Sequence, residues 1–150
     1  MFERKRPSSP QSAHCLVSDV GVAELNKQHL RLASYAVELN QIVEEISARE
    51  PTHADWRQVD ALFSRICLIV AAHFRSEEEL MEKHGYPAYA DHKGLHSQFS
   101  SELADVQSKI NNRNLKFGSK LSNLLWDFLY VHINEVDIKY KEFLEEKGVI

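Results

Sequence analysis

Cysteine is scarce: 2 in 150 residues, Cys15 and Cys67, too far apart in sequence to form a CxxC. One bridge is permitted but nothing demands it, and a reducing cytoplasm is the expected location. No apolar run approaches the roughly 18 residues of a spanning helix, so no membrane segment is expected. The basic start, Arg4, Lys5 and Arg6, leads into Pro7, Ser8, Ser9 and Pro10 and not into an apolar stretch, which argues against a secretory signal. Positive charge is not in excess. A net charge of -4 and a pI near 6.1 leave no basic footprint, so neither nucleic acid nor an anionic membrane is an expected partner. Strand-like alternation, a glycine-rich phosphate loop and an internal repeat are all lacking.

What is present is ordinary in amount and particular in arrangement. Apolar residues make up 43% and charged residues 27%, within a length that suits one domain able to enclose a core without staples. Residues 1–18 carry proline, serine and charge without period and read as an irregular N-terminal arm. Residues 19–150 read as four helices. The first, about 21 to 48, sets Leu25, His29, Leu32, Ala36, Leu39, Val43 and Ile46 at three-and-four spacing and stops before Pro51. The second starts at Thr52 as N-cap and runs to His84, with Gly85 beyond it. A third, about 88 to 111, turns His92, His96, Phe99, Leu103, Val106 and Ile110 inward; a fourth, about 115 to 146, carries Leu121, Leu125, Phe128, His132, Val136 and Tyr140. Short connections between long helices predict an all-α fold, an up-down-up-down antiparallel four-helix bundle behind an N-terminal arm.

Five of the eight histidines, with two carboxylates, stand where four helices can turn them to one point. His73 with Glu77, and His92 with His96, are i,i+4 pairs on one helical face. His29 lies in the stripe of the first helix. His132 and Asp137 are five apart, which on a regular α-helix puts them roughly 140° apart. If both serve one centre, either that helix unwinds locally, as a π-bulge does, or the two reach the centre from its flanks. Burying these groups without a metal would cost several kcal/mol of desolvation, so the set reads as a two-metal site. Imidazole with carboxylate suits iron, copper, nickel or zinc better than calcium or magnesium. His14, His53 and His84 fall off the inward stripes and read as surface or capping residues. Glu78 and Glu79 read as solvated, paired with Arg75 or Lys83, and Cys67 as a small core residue.

The segments Asn26-Lys27-Gln28-His29, His73-Phe74-Arg75-Ser76-Glu77-Glu78, Tyr86-Pro87 with His92 and His96, and His132-Ile133-Asn134-Glu135-Val136-Asp137 together resemble the hemerythrin family, most closely the bacteriohemerythrins. The resemblance covers nearly everything after the arm and fills all seven ligand positions. It implies a non-haem di-iron centre bridged by oxide or hydroxide, one iron on His92, His96 and His132, the other on His29 and His73, with Glu77 and Asp137 spanning both. O2 would bind at the open position of the second iron, in a pocket lined by Leu32, Phe74, Phe128, Leu129 and Ile133. The implied function is reversible dioxygen binding for storage or delivery, by a cytoplasmic monomer that is not an enzyme.

A histidine-rich shell leaves less negative charge on the irons than the carboxylate-rich shell of ferritin-like enzymes, which favours carrying oxygen over activating it. The alternative is a module sensing O2, redox state or nitric oxide through a protein partner or an output domain, which residues 1–150 do not include. Less expected is a peroxide-consuming or iron-oxidising activity. Three positions depart from the family pattern. Asn26 stands where aspartate is frequent, Phe128 where tryptophan is common with Trp126 displaced by two, and an aromatic of the early loop is missing.

Overall fold

Val20 N–H donates to the Asn26 side-chain oxygen at 3.0 Å, and Asn26 Nδ2 donates to Asp19 at 2.7 Å. These bonds fasten the turn at Gly21, whose φ of 77 suits glycine, against the start of the first long helix. In the computed structural model the described residues are 6–14 and 17–150, with Ala13 and His14 described by backbone alone, so expectations for Arg4, Lys5, the His14 side chain and Cys15 lie outside them. A short helix, α1 (Pro10–His14), occurs within the stretch expected to be irregular. The long helices follow as α2 (Ala23–Ser47), α3 (His53–His84) and α4 (Tyr89–Asn111). The fourth is continuous but composite: α5 (Phe117–Asp127), a π-helical segment (Phe128–Asp137) and α6 (Ile138–Glu146). Among the described residues there is no strand, and no helix is long and apolar enough to cross a membrane.

The ends form for local reasons. Thr52 and Asp55 make a reciprocal capping box at the start of α3, and Arg49 adds two bonds to the Asp55 carboxylate at 2.6 and 3.0 Å. At the other end Gly85 takes the left-handed conformation, and the N–H of Tyr86 reaches back to Met81 O at 2.9 Å, the arrangement that satisfies last-turn carbonyls. Each long helix packs on the next and the fourth returns to α2, closing an antiparallel ring. Its interior is the apolar stripes read from the sequence. Leu25, Leu32, Ile66, Val70, Phe99, Val106, Leu121 and Leu125 are all buried, while Val43, Leu80 and Val136 are half-buried at its edge. Gly118 lets α5 approach α2: a Cβ there would lie 2.8 Å from a Val43 methyl.

In the arm, α1 packs against α2, while the residues on either side of it bond to the fourth helix. Arg6 donates to Ser122 Oγ at 2.6 Å and to Asn123, and the N–H of Ser18 donates to Asn134 Oδ1 at 3.0 Å. Ser122, Trp126, Tyr130 and Asn134 are four apart and form one stripe. Trp126, midway along it, is only 3% exposed. Cys67 is a free, half-buried thiol and not a core residue; it lines a groove with Phe63, Val70, Ser100 and Leu103.

Candidate metal centre

All seven expected side chains meet in the bundle interior, in two overlapping groups. Glu77, His92, His96 and His132 form one; His29, His73, Glu77 and Asp137 form the other. Within each, one ligand atom per residue lies within 4.8 Å of the rest. Helix α2 contributes His29, α3 His73 and Glu77, α4 His92 and His96, and the π-helical segment His132 and Asp137. The i,i+4 pairs converge because they share a face. In the π winding, residues five apart stand one above the other, so Asp137 Oδ1 lies 3.1 Å from His132 Nε2. Of the two ways the spacing allows, local unwinding is the one present, and it extends over ten residues and not a single turn.

Nitrogen faces nitrogen here without a shared polar group between. His29 Nε2 is 3.1 Å from His73 Nε2, and His132 Nε2 is 3.2 Å from His92 Nε2. The carboxylates lie among them: Glu77 Oε2 is 2.8 Å from His73, Asp137 Oδ1 3.2 Å from His92, and Asp137 Oδ2 3.4 Å from His29. All four carboxylate oxygens, His96 Nε2 and the Nδ1 atoms of His29 and His92 are buried without a hydrogen-bond partner. Five of these, the four carboxylate oxygens and His96 Nε2, belong to one buried cluster, far from the norm for buried groups. Cations at the two points of convergence would satisfy the oxygens and the inward nitrogens together, and a donor set of imidazole and carboxylate is chemically suited to divalent transition metals. The residues present fit a metal pair.

Proton affinities in the metal-free chain follow from the same crowding. Burial pushes His96 down to about 4 and lowers His29 as well. Burial also opposes protonation of His92, but contact with Asp137 and Glu77 outweighs it and raises His92 to about 9. Asp137, although buried, is held well below the usual carboxylate range by His132, His29 and His92. Glu77, despite burial and the nearby Asp137, is lowered by His73 and His92.

Two outer contacts were not legible in the sequence. His73 Nδ1–H donates to Gln28 Oε1 at 2.9 Å, and His96 Nδ1–H donates to Glu78 Oε1 at 2.9 Å. Each points the opposite nitrogen, Nε2, toward the cluster. Glu78 therefore grips a histidine of α4 and does not pair with Arg75 or Lys83 as read from the spacing; its other oxygen lies 3.9 Å from Lys93. Asn26 is occupied with the turn before α2. His53 is exposed at the first turn of α3, and His84 is half-buried in its last.

Apolar walls enclose the cluster. The Phe74 ring stacks on His96 with centroids 3.9 Å apart, and Phe128 stacks on His132 at 4.7 Å. Leu32, Leu129 and Ile133 belong to the buried core. On the outer side, a groove of Leu95, Phe99, Val131 and Val136 reaches the His132 edge.

The family model described as Hemerythrin HHE cation binding domain matches residues 20–144. A bacteriohemerythrin of Methylococcus capsulatus is 33% identical over 84 residues, covering 56% of this chain and 61% of that protein. A bacteriohemerythrin of Campylobacter jejuni is 25% identical over 113 residues, covering 73% and 83%. Myohemerythrin of Sipunculus nudus is 28% identical over 94 residues, covering 63% and 68%. This chain thus spans less than two thirds of the length of the first of these relatives, and no solved structure matches it significantly. With the family model running from the turn before α2 to the end of α6 over a four-helix bundle of this donor set, the chain belongs to the hemerythrin family, as a bacteriohemerythrin-like member.

Proposed function

We propose that the chain binds dioxygen reversibly at a pair of irons, as a store or carrier. His92, His96 and His132 would hold one iron, His29 and His73 the other, with Glu77 and Asp137 reaching both. The observation that carries this reading is the cluster of buried carboxylate oxygens and histidine nitrogens without hydrogen-bond partners, inside apolar walls. Two ferrous ions, when bound, supply the two electrons that dioxygen takes up and gives back on release.

The chain's own side chains set the conditions. The side of His29 and His73 offers one histidine fewer, which leaves room for a small ligand. Phe74 and Phe128 also touch the His73 ring, and with Leu32, Leu129 and Ile133 buried in the same core they would keep water from that side, restraining loss of reduced oxygen to water and protons. Five neutral imidazoles against two carboxylates keep the negative charge on the metals low, which disfavours oxidative chemistry on other substrates.

A sensory role draws support from one contact. Ser18 N–H is bonded to Asn134, within the same π-helical segment as His132 and Asp137, so a change at the centre has a direct route to the arm. Anaerobic reconstitution with ferrous iron, metal counting and a visible-range oxygen titration test both readings. A carrier takes up two irons and shows a band that appears with O2 and disappears on its removal over many cycles. A chain that binds iron but oxidises within a few cycles, with altered proteolysis of the arm, is a sensor. Failure to hold two irons overturns both.

A further inference from the structure

The two metal positions share the carboxylates between them but not the donor count, three histidines against two. Glu77 belongs to both groups, and Asp137 lies 3.2 Å from His92 through one oxygen and 3.4 Å from His29 through the other. They differ again one layer out. Behind His96 stands a carboxylate, Glu78, and behind His73 an uncharged amide, Gln28, each taking the Nδ1 proton at 2.9 Å. A hydrogen bond to a charged acceptor is the stronger kind, and it draws the imidazole N–H toward imidazolate character, which makes the opposite nitrogen a better electron donor. The ring it acts on is also fixed, because Phe74 lies parallel to His96 within 6° at 3.9 Å.

We propose that Glu78 is a positioning residue that acts through His96 to tighten the position of His92, His96 and His132 beyond what its third histidine provides, so that it fills first and empties last. Gln28, lacking charge, leaves the position of His29 and His73 the more easily emptied. The inference rests on the reading of the cluster as a two-metal site. Its chemistry concerns divalent transition ions in general, and does not require oxygen.

The test uses the full chain stripped of metal and titrated anaerobically with cobalt(II), read by its visible spectrum and by competition with a chelator. The unaltered chain is expected to take two cobalt ions in two distinguishable steps. Glu78→Gln keeps the size and an acceptor but removes the charge. It is expected to weaken the tighter step by about ten- to hundredfold and to leave the weaker one and the unfolding midpoint of the metal-free chain unchanged.

The position affected is identified by pairing the change with a lost ligand. Combined with H73A, which cripples the other position, E78Q is expected to weaken the remaining site by the same factor; combined with H132A it is expected to do nothing. The reciprocal change Q28E is expected to strengthen the weaker step, which keeps the inference testable if E78Q folds poorly. Unchanged constants in E78Q, an equal loss in the H132A background, or a Q28E chain with the weaker step unaltered would overturn the role of Glu78. A parent chain that takes fewer than two cobalt ions instead overturns the two-metal reading itself.

Discussion

Asp137 lies 3.1 Å from His132 although the two are five positions apart, because the helix between them winds with the wider π repeat. On an α-helix the two would diverge, and one of them would leave the cluster. The backbone departure and the donor set are thus one feature, in keeping with the concentration of π segments at functional sites.

The first prediction concerns the cluster itself. His73→Ala and Glu77→Ala each remove a buried donor, Glu77 one that belongs to both groups. Bound iron is expected to fall from two per chain to one or fewer, measured by metal analysis after desalting. His53→Ala, at an exposed position, is expected to retain the full count.

Phe128 is 4% exposed and its ring contacts those of His73, Phe74, Phe99 and His132. Phe128→Ala is expected to lower stability by roughly 3–5 kcal/mol, the usual range for truncating a core phenylalanine. Denaturant unfolding of the metal-free chain measures this. In the iron-loaded chain the same change is expected to speed loss of the oxygen-dependent band, since the cavity admits water.

The close approach of α5 to α2 makes Gly118 intolerant of a side chain. Gly118→Ala would place Cβ 2.8 and 2.9 Å from the two Val43 methyls and is expected to destabilise by about 1–3 kcal/mol. Adding Val43→Ala removes the clash, so the double variant is expected to recover part of that loss in thermal unfolding. Strict additivity of the two changes would count against this contact.

At the α3 cap, Asp55 is lowered from its ordinary range, first by Arg49 and then by the Thr52 backbone N–H. A carboxyl that is more acidic when folded stabilises the fold above its unfolded pKa, and that contribution fades as pH falls through the folded value. The parent chain is therefore expected to exceed Asp55→Asn in stability by a steady margin above about pH 5, with the margin shrinking below about pH 4. Thr52→Ala, which removes the other half of the box, is expected to cost about 1 kcal/mol at neutral pH. Chemical denaturation across that pH range checks both.

Much of the molecule follows from neighbours within one or two turns. Capping at Thr52, termination at Gly85, the inward stripes and the i,i+4 donor pairs depend on residues three or four positions apart, and local physics acts at that distance. The spacing of His132 and Asp137 also offered unwinding of the fourth helix as one of two ways to bring both to the centre, though not its extent from Phe128 to Asp137.

The rest depends on contacts between distant parts of the chain. Glu78 meets a histidine 18 residues away and Gln28 one 45 away, so neither could be separated from ordinary surface polarity until the helices were placed side by side. The arm likewise shows no periodicity of its own; it is held by α2 and by Ser122 and Asn134 of the fourth helix, which only the assembled bundle brings within its reach. The sequence by itself determined four amphipathic helices and which side chains face inward, because helical period is a local property. Only the tertiary structure decided how those side chains pair across helices, which imidazole leans on a charge and which on an amide, because those choices are made by interhelical distances of about 3 Å that no local rule contains.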